Sequence, residues 1–205
     1  EAAVYLTGCR VVQFEPVYGG KEDSAASVRI HALSALMQLP VVGTEILMTT
    51  LVDALADQLA TVRTEAVRAA IHAPKEIVIP LLRLKVRLRD TEPRVIGGCF
   101  DTLLFIAPNS ETLSLVQEYA DSADMSLQAE ALASLASSDF IEAVYYAIKV
   151  YEKSTDRQLK RVLLSAFGQS RIPEALDFLC DTLRGSEPEA GWALAALKTK
   201  MFDET

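Results

Sequence analysis

The chain carries an internal repeat of helical periodicity. The pattern in "SVRIHALSAL" (27–36) returns in "TVRTEAVRAA" (61–70). With Val28 as position zero, comparable stretches begin at Val62, Val95, Leu127, Leu159 and Glu189. The residue at offset four is Ala32, Ala66, Cys99, Ala131, Leu163 or Ala193, and the residue at offset seven is always Ala, Thr or Ser. Agreement of six stretches at the same columns indicates a repeated structural unit.

The spacing within each stretch predicts an amphipathic helix, because offsets 0, 4, 7 and 8 fall within one stripe of roughly 100°. Before the later stretches lie further helical runs, at 44–60, 75–89, 110–122, 139–153 and 173–184. We call the first helix of each pair helix A and the second helix B. Recurring pairs of this kind predict an all-α fold, an α-solenoid of about five to six stacked hairpins over 24–205. We expect 1–23 to be the remnant of a preceding unit or an irregular N-terminal segment.

The turns fit these helices. Glu92, Asp124, Asp156 and Ser186 each lie three residues before position zero, where an acidic or hydroxyl side chain caps a helix. The segment 81–89 alternates apolar and basic residues, which is typical of an edge strand, but the repeat register favours a helix. Its cations Arg83, Lys85, Arg87 and Arg89 form either a solvated face or a docking site for an acidic partner segment.

The stretches "DTEPRVIGGCFDTLL", "DMSLQAEALASL" and "DRQLKRVLLSAFG" resemble HEAT repeats of the short bacterial type, similar to those of phycobilisome lyases and armadillo-like in architecture. In that family helix B reads roughly Asp, two residues, Val-Arg, two residues, Ala. The resemblance covers 24–200 and implies an architecture. This chain keeps the family's Arg as Arg29 and Arg63 and departs from it in the later units. We expect both to form structural ion pairs with turn carboxylates, with ligand contact as the alternative.

Charge and composition narrow the classes of function. The net charge is −8, and the excess of acidic residues lies in 101–205, with nine Lys and Arg against 17 Asp and Glu. An acidic surface repels the phosphate backbone, so the charge argues against a nucleic-acid partner. No run of apolar residues is long enough for a membrane span. Three distant cysteines and two histidines predict no metal site and favour a reducing, cytoplasmic setting. Because the chain begins with Glu1, we expect it to be a segment of a longer protein or a processed form.

Offsets 2, 3, 6 and 10 of helix B point away from the apolar stripe and predict an exposed face. We expect a protein or peptide partner to bind there, at Glu65, Arg68, His72, Gly97, Gly98, Asp101 and Glu130. Gly97 and Gly98 have two alternatives, tight helix packing or an open patch where a partner approaches the backbone. Trp192, on the nominally exposed side of the last unit, either covers the end of the core or anchors a partner.

These features favour an interaction protein. No nucleophile motif, phosphate-binding loop or His-Glu pair occurs, so no catalytic residue and no cofactor is assigned. The sequence predicts a protein-binding scaffold. The alternative, implied by the family resemblance, is a bilin-lyase-like subunit that holds a tetrapyrrole or its acceptor protein. The oligomeric state is left open.

Overall fold

A computed structural model of the chain describes residues 1–14, 21–39, 43–185 and 187–203. These residues form an all-α fold, apart from one short hairpin of strands. They divide into two compact units, Glu1–Thr102 and Leu103–Thr205. Each unit is a stack of helical hairpins, as the repeat predicts. The predicted cap Ser186 lies outside the described residues.

The first unit contains the helices α1 to α5 and most of α6. Their bounds are α1 Ala2–Thr7, α2 Ala26–Gln38, α3 Thr44–Leu55, α4 Ala60–Ala69, α5 Lys75–Leu88 and α6 Pro93–Ile106. A short 3-10 turn, Ala70–His72, follows α4. The strands β1 Val12–Phe14 and β2 Lys21–Asp23 pair antiparallel, with Val12 opposite Asp23. The segment 75–89 is therefore a helix up to Leu88. The helix that the repeat register predicts is confirmed, and the edge strand suggested by the alternating residues 81–89 is not formed.

The N-terminal segment is part of this stack. Helix α1 packs against α2 and also against α3. Because α3 and α5, successive A helices, also contact each other, α1 occupies the helix A position of the first pair. The strand hairpin lies between α1 and α2 in sequence. It lengthens the connection, which explains why the segment 1–23 does not fit the repeat register.

The second unit continues the pattern. Its helices are α7 Ser110–Ala120, α8 Met125–Ser137, α9 Ile141–Lys153, α10 Arg157–Phe167, α11 Pro173–Thr182 and α12 Glu189–Asp203. Consecutive B helices pack directly, α8 against α10 and α10 against α12. The predicted helix A runs 110–122, 139–153 and 173–184 correspond to α7, α9 and α11.

The repeat columns form the core of both units. All six residues at offset four are buried. At offset seven, five of the six residues are buried. Their small side chains let neighbouring B helices approach closely, and the close contact excludes solvent. Ala35 differs and is exposed. At offset five, Leu194 of the last B helix is 46% exposed, whereas its counterparts are buried.

The turn from helix A to helix B is closed by a side chain five residues before position zero. Asp23, Asp57 and Asp90 each accept a hydrogen bond from the backbone N–H two residues on. Ser122 and Ser154 do the same in the second unit. The predicted caps are confirmed for Asp124 and Asp156, whose carboxylates accept from the N–H groups of the first helical turn. The repeat therefore includes a turn column that apolar periodicity does not reveal.

A second row of hydrogen bonds joins the C-terminal ends of the B helices in the second unit. The Ser170 hydroxyl donates to the Ser138 carbonyl at 2.7 Å, and the Lys200 ammonium donates to the Ser170 carbonyl at 2.7 Å. All three residues lie eleven positions after their own position zero. Each B helix is thus tied to the next at an equivalent point.

Among the described residues, none of the helices combines the length and apolarity needed to cross a bilayer.

Candidate functional site

Three of the predicted partner-binding residues lie on α4 and the 3-10 turn that follows it. Arg68 and His72 are exposed, whereas Glu65 is half-buried. The Arg68 guanidinium is 79% exposed and lies 3.5 Å from the Glu65 carboxylate, one helical turn away. Such an exposed pair contributes little to folding stability. These side chains therefore remain available to a partner at small energetic cost.

On α6 the predicted residues separate into packed and exposed groups. Gly97 is buried and Gly98 is half-buried. A β-carbon at Gly98 would lie 3.4 Å from the Val67 Cγ1 atom of α4. These glycines therefore follow the tight-packing alternative and do not form an open backbone patch. Asp101 is exposed, one turn further along the same helix.

Glu130 lies on α8, in the second unit, where it is half-buried. It occupies the same helix B column as Glu65. Trp192, on α12, is also half-buried. A shallow pocket of about 530 Å³ lies beside it, lined by residues that include Leu183, Pro188 and Leu194.

The two arginines kept from the repeat pattern form buried ion pairs, as predicted. Arg29 is 1% exposed and donates to both Asp57 carboxylate oxygens, at 2.9 and 3.1 Å. Arg29 also lies 2.7 Å from the carboxylate of Asp23, which is in the turn before its own helix α2. Arg63 donates to both Asp90 oxygens, at 2.8 and 2.7 Å. Each arginine therefore links one helical pair to the turn of the next.

The carboxylates of this row were missed in the sequence analysis. They lie in turns, where apolar periodicity carries no information, and their partners are 27 or 28 residues away. A signal was present in the column five residues before position zero, which reads Asp23, Asp57, Asp90, Ser122 and Ser154. We call Asp23, Arg29, Asp57, Arg63 and Asp90 the buried charge ladder.

The ladder favours the ionised form of Asp23 and Asp90. Burial alone raises the pKa of Asp90, but hydrogen bonds from Arg63, Lys85 and the Glu92 backbone outweigh it and hold that pKa well below its usual range. In Asp23, burial is likewise outweighed by bonds from the Ala25 and Val11 backbone and from Arg29, which lower the pKa. The pKa of Arg29 is raised by Asp57 and Asp23 in spite of its burial. The geometry is that of a structural element, because every charge faces an opposite charge.

Lys85 departs from the predicted basic face. Its ammonium lies 2.7 Å from the Asp90 carboxylate and donates to the Leu55 carbonyl at 2.9 Å. It therefore belongs to the interior of the first unit. Arg87 and Arg89 remain exposed, and Arg83 is half-buried.

In the second unit the ladder is replaced by a smaller polar cluster. The Lys160 ammonium lies 2.9 Å from the Glu189 carboxylate and 4.8 Å from the centre of the Tyr151 ring. The hydrogen bond from Lys160 lowers the pKa of Glu189. Burial and the neighbouring Glu189 carboxylate raise the pKa of Tyr151. At neutral pH the cluster holds an ion pair beside a protonated phenol.

Among the described residues, no three His, Cys, Asp or Glu side chains lie close enough to hold a metal ion. Cys99 is a buried free thiol, and burial raises its pKa to about 12. The thiol is therefore protonated at neutral pH and is a poor nucleophile. A pocket of about 630 Å³ between α1 and α3 is lined partly by Arg10 and Asp57, which already pair with each other.

Comparisons with known proteins give no family. No family model matches the chain, and no curated protein matches it. One similar solved structure is an engineered protein of the Northeast Structural Genomics Consortium, with 18% identity and a TM-score of 0.39, covering 98% of this chain and 57% of the other. This chain therefore spans little more than half of that protein's length. The YibA protein of E. coli has 13% identity and a TM-score of 0.42, covering 97% of this chain and 74% of its own. A second engineered protein has 18% identity and a TM-score of 0.41, covering 96% of both chains.

Proposed function

We propose that this chain is a protein-binding scaffold and that the helix B side chains of its first unit contact the partner. The observation that carries this proposal is the exposure of Arg68, at 79%, beside the exposed His72 and Asp101. Arg68 and Asp101 lie on B helices, His72 lies in the 3-10 turn after α4, and together they bring both signs of charge to one unit. Glu130 occupies the equivalent column in the second unit and remains a separate predicted contact.

The packing beneath the surface supports a preorganised site. Helix α4 is fixed to the next turn by Arg63 and Asp90, and α2 is fixed to the turn before α4 by Arg29 and Asp57. A surface that is already rigid loses little conformational entropy on binding. A mixed-charge surface of this kind selects a partner segment of complementary charge, since electrostatic complementarity sets specificity and association rate.

Charge reversal tests the proposal. A partner is first captured on the tagged chain and identified by cross-linking and mass spectrometry, and its affinity is then measured by calorimetry. We expect Arg68→Glu and Asp101→Lys each to weaken binding by about tenfold or more, ~1.4 kcal/mol. Circular dichroism checks that each variant keeps its helices.

Arg184→Glu is the matched control. Arg184 is 81% exposed and pairs with Asp181 one turn away, as Arg68 does with Glu65. It lies just beyond α11, in the second unit, so we expect the affinity to be unchanged. Loss of affinity in Arg184→Glu, with Arg68→Glu and Asp101→Lys unaffected, would assign binding to another surface and refute the proposal.

A further inference from the structure

Two pairs of large apolar side chains are exposed on two A helices of the first unit, apart from Ile46, which is also exposed on α3. On α3, Met48 is 45% and Val52 is 43% exposed; on α5, Leu84 is 54% and Leu88 is 72% exposed. Each pair is spaced four residues apart, so its members are neighbours on one face of their helix. We call these four residues the outer strip.

The two pairs lie on facing sides of α3 and α5. The Lys85 ammonium donates to the Leu55 carbonyl at 2.9 Å, which places the Lys85 side of α5 against the C-terminal end of α3. Leu88 lies three residues after Lys85, and Val52 lies three residues before Leu55. Residues three apart share a helix face. The outer strip therefore follows the junction between α3 and α5.

Helix α5 is extended at the end of this strip. In the preceding pair, Ala56 alone separates the last buried apolar residue, Leu55, from the ladder residue Asp57; in α5, residues 87–89 separate Val86 from Asp90. The extension ends at Arg89, whose backbone has φ 64° and ψ 178°. This conformation is strained for a residue with a side chain. The strained extension carries Leu88 and the two exposed guanidinium groups of Arg87 and Arg89.

We propose that the outer strip docks an amphipathic helix of a partner protein, with carboxylates along one flank of its apolar face. The apolar face of an amphipathic helix packs against exposed apolar side chains of this kind. Arg87 and Arg89 stand beside Leu88 and complement acidic side chains on the docked helix. The surface belongs to the A helices, so it is a second interaction site beyond the helix B surface proposed above.

A pair of synthetic peptides tests this site on the full chain. The first is a labelled helical peptide with Leu at positions i, i+3, i+4 and i+7 and Glu along one flank. The second replaces each Glu by Lys. Fluorescence anisotropy should give an affinity for the Glu peptide at least about tenfold higher than for the Lys peptide.

Variants of the chain locate the binding. Leu84→Ser combined with Leu88→Ser should weaken binding of the Glu peptide by about tenfold or more, whereas Arg89→Glu should narrow or reverse the preference between the peptides. Leu176→Ser is the control, because Leu176 on α11 is a similarly exposed leucine, at 38%, in the second unit. Urea denaturation verifies that each variant is folded, and Arg89→Glu tests the site even if the double serine variant is unstable.

Three results would overturn the proposal. They are equal affinity for the two peptides, no binding of either, and binding that is indifferent to the Leu84, Leu88 and Arg89 changes. Sedimentation that shows a dimer of the chain, lost on Leu88→Ser, would assign the outer strip to a second copy and overturn the proposed occupant.

Discussion

Single side chains decide how neighbouring helical pairs are joined in the first unit. Asp57 accepts hydrogen bonds from Arg10, Arg29 and the Leu59 backbone, and its side chain is 2% exposed. Asp90 is buried to the same degree and is bound by Arg63 and Lys85. Removing one member of such a buried pair leaves an uncompensated charge, which is far more costly than the pair is stabilising. The ladder therefore fixes the arrangement of the pairs, whatever its net contribution to stability.

Asp90→Asn tests the ladder. The change leaves Arg63 and Lys85 facing a neutral amide, so we expect the free energy of unfolding to fall by about 3–5 kcal/mol. Urea denaturation followed by circular dichroism measures it. The control is Asp181→Asn, since Asp181 is 72% exposed and pairs with Arg184, and its effect should stay within about 0.5 kcal/mol. Equal effects in the two variants would mean that Asp90 is not a buried ladder residue.

Arg89→Gly tests the strain at the end of α5. Glycine adopts φ 64°, ψ 178° without a side-chain clash, so the variant should be more stable by about 1 kcal/mol. Arg87 lies within α5, where glycine is unfavourable, and Arg87→Gly should lower stability by about 1 kcal/mol. Thermal or urea denaturation of the two variants compares them directly. Destabilisation by both would contradict strain at Arg89.

Among the helices, close packing depends on small residues at fixed points. Gly168 follows α10, and a β-carbon there would lie 2.9 Å from the Ala196 carbonyl oxygen of α12. Ala196 itself is the small residue at offset seven. The opposing atom is backbone, so it cannot move aside as a flexible side chain does. The approach of α10 to α12 thus depends on both residues.

Gly168→Ala should lower the free energy of unfolding by about 1–3 kcal/mol, because the added methyl overpacks this contact. Gly191→Ala is the matched control. Gly191 lies within α12, and a β-carbon there would meet nothing within 4 Å, so alanine should stabilise the helix by about 0.5–1 kcal/mol. Denaturation midpoints of the two variants should move in opposite directions. A shift in the same direction for both would indicate that the α10–α12 contact is looser than described.

The helices were largely predictable because their signal is local. The run 75–89 became α5, Lys75–Leu88, and the run 139–153 became α9, Ile141–Lys153. Apolar spacing reports which face is buried, and that is decided within a few turns of one helix. Helix α1 itself was not predicted, although the remnant of a preceding unit was one expectation for 1–23, because the helix is short and is separated from α2 by the strand hairpin.

The candidate surface was predicted less completely, since exposure depends on what a neighbouring helix covers. Arg68 and Asp101 are exposed as expected, but Gly97 is buried and Gly98 packs against Val67. No offset within one helix contains that information. Lys85 likewise was expected at the surface, and its partners, Asp90 and the Leu55 carbonyl, belong to turns and to another helix.

At the scale of the whole molecule, the ladder makes the free energy of unfolding depend on pH, with a loss of stability at acidic pH. Asp23 and Asp90 have folded-state pKa values below the ordinary value of 3.8, so each contributes stability that is present above that pH. The contribution is lost as the pH falls through the range below about 5 towards the folded-state pKa.

The dependence should be visible in the difference between the native chain and Asp90→Asn. Asparagine does not titrate, so the gap in unfolding free energy should be largest near neutral pH and shrink as the pH falls towards 3, roughly the range where the unfolded carboxyl protonates. Urea titrations at a series of pH values measure the gap. A gap that stays constant down to that pH would show that Asp90 is not held ionised by its partners.

The ladder also bears on how a chain of this kind changes length in evolution. Consider the repeat that begins at Asp57 and ends before Asp90. Its Asp57 pairs with Arg29 of the repeat before it, and its Arg63 pairs with Asp90 of the repeat after it. Excision of residues 57–89 would bring Asp90 to the place of Asp57, where Arg29 would meet a carboxylate again. Duplication of the same segment would add one ladder arginine, the copy of Arg63, together with one ladder aspartate, the copy of Asp57. Gain or loss of a whole repeat therefore leaves each ladder arginine paired with an aspartate. An insertion or deletion of a few residues breaks that pairing.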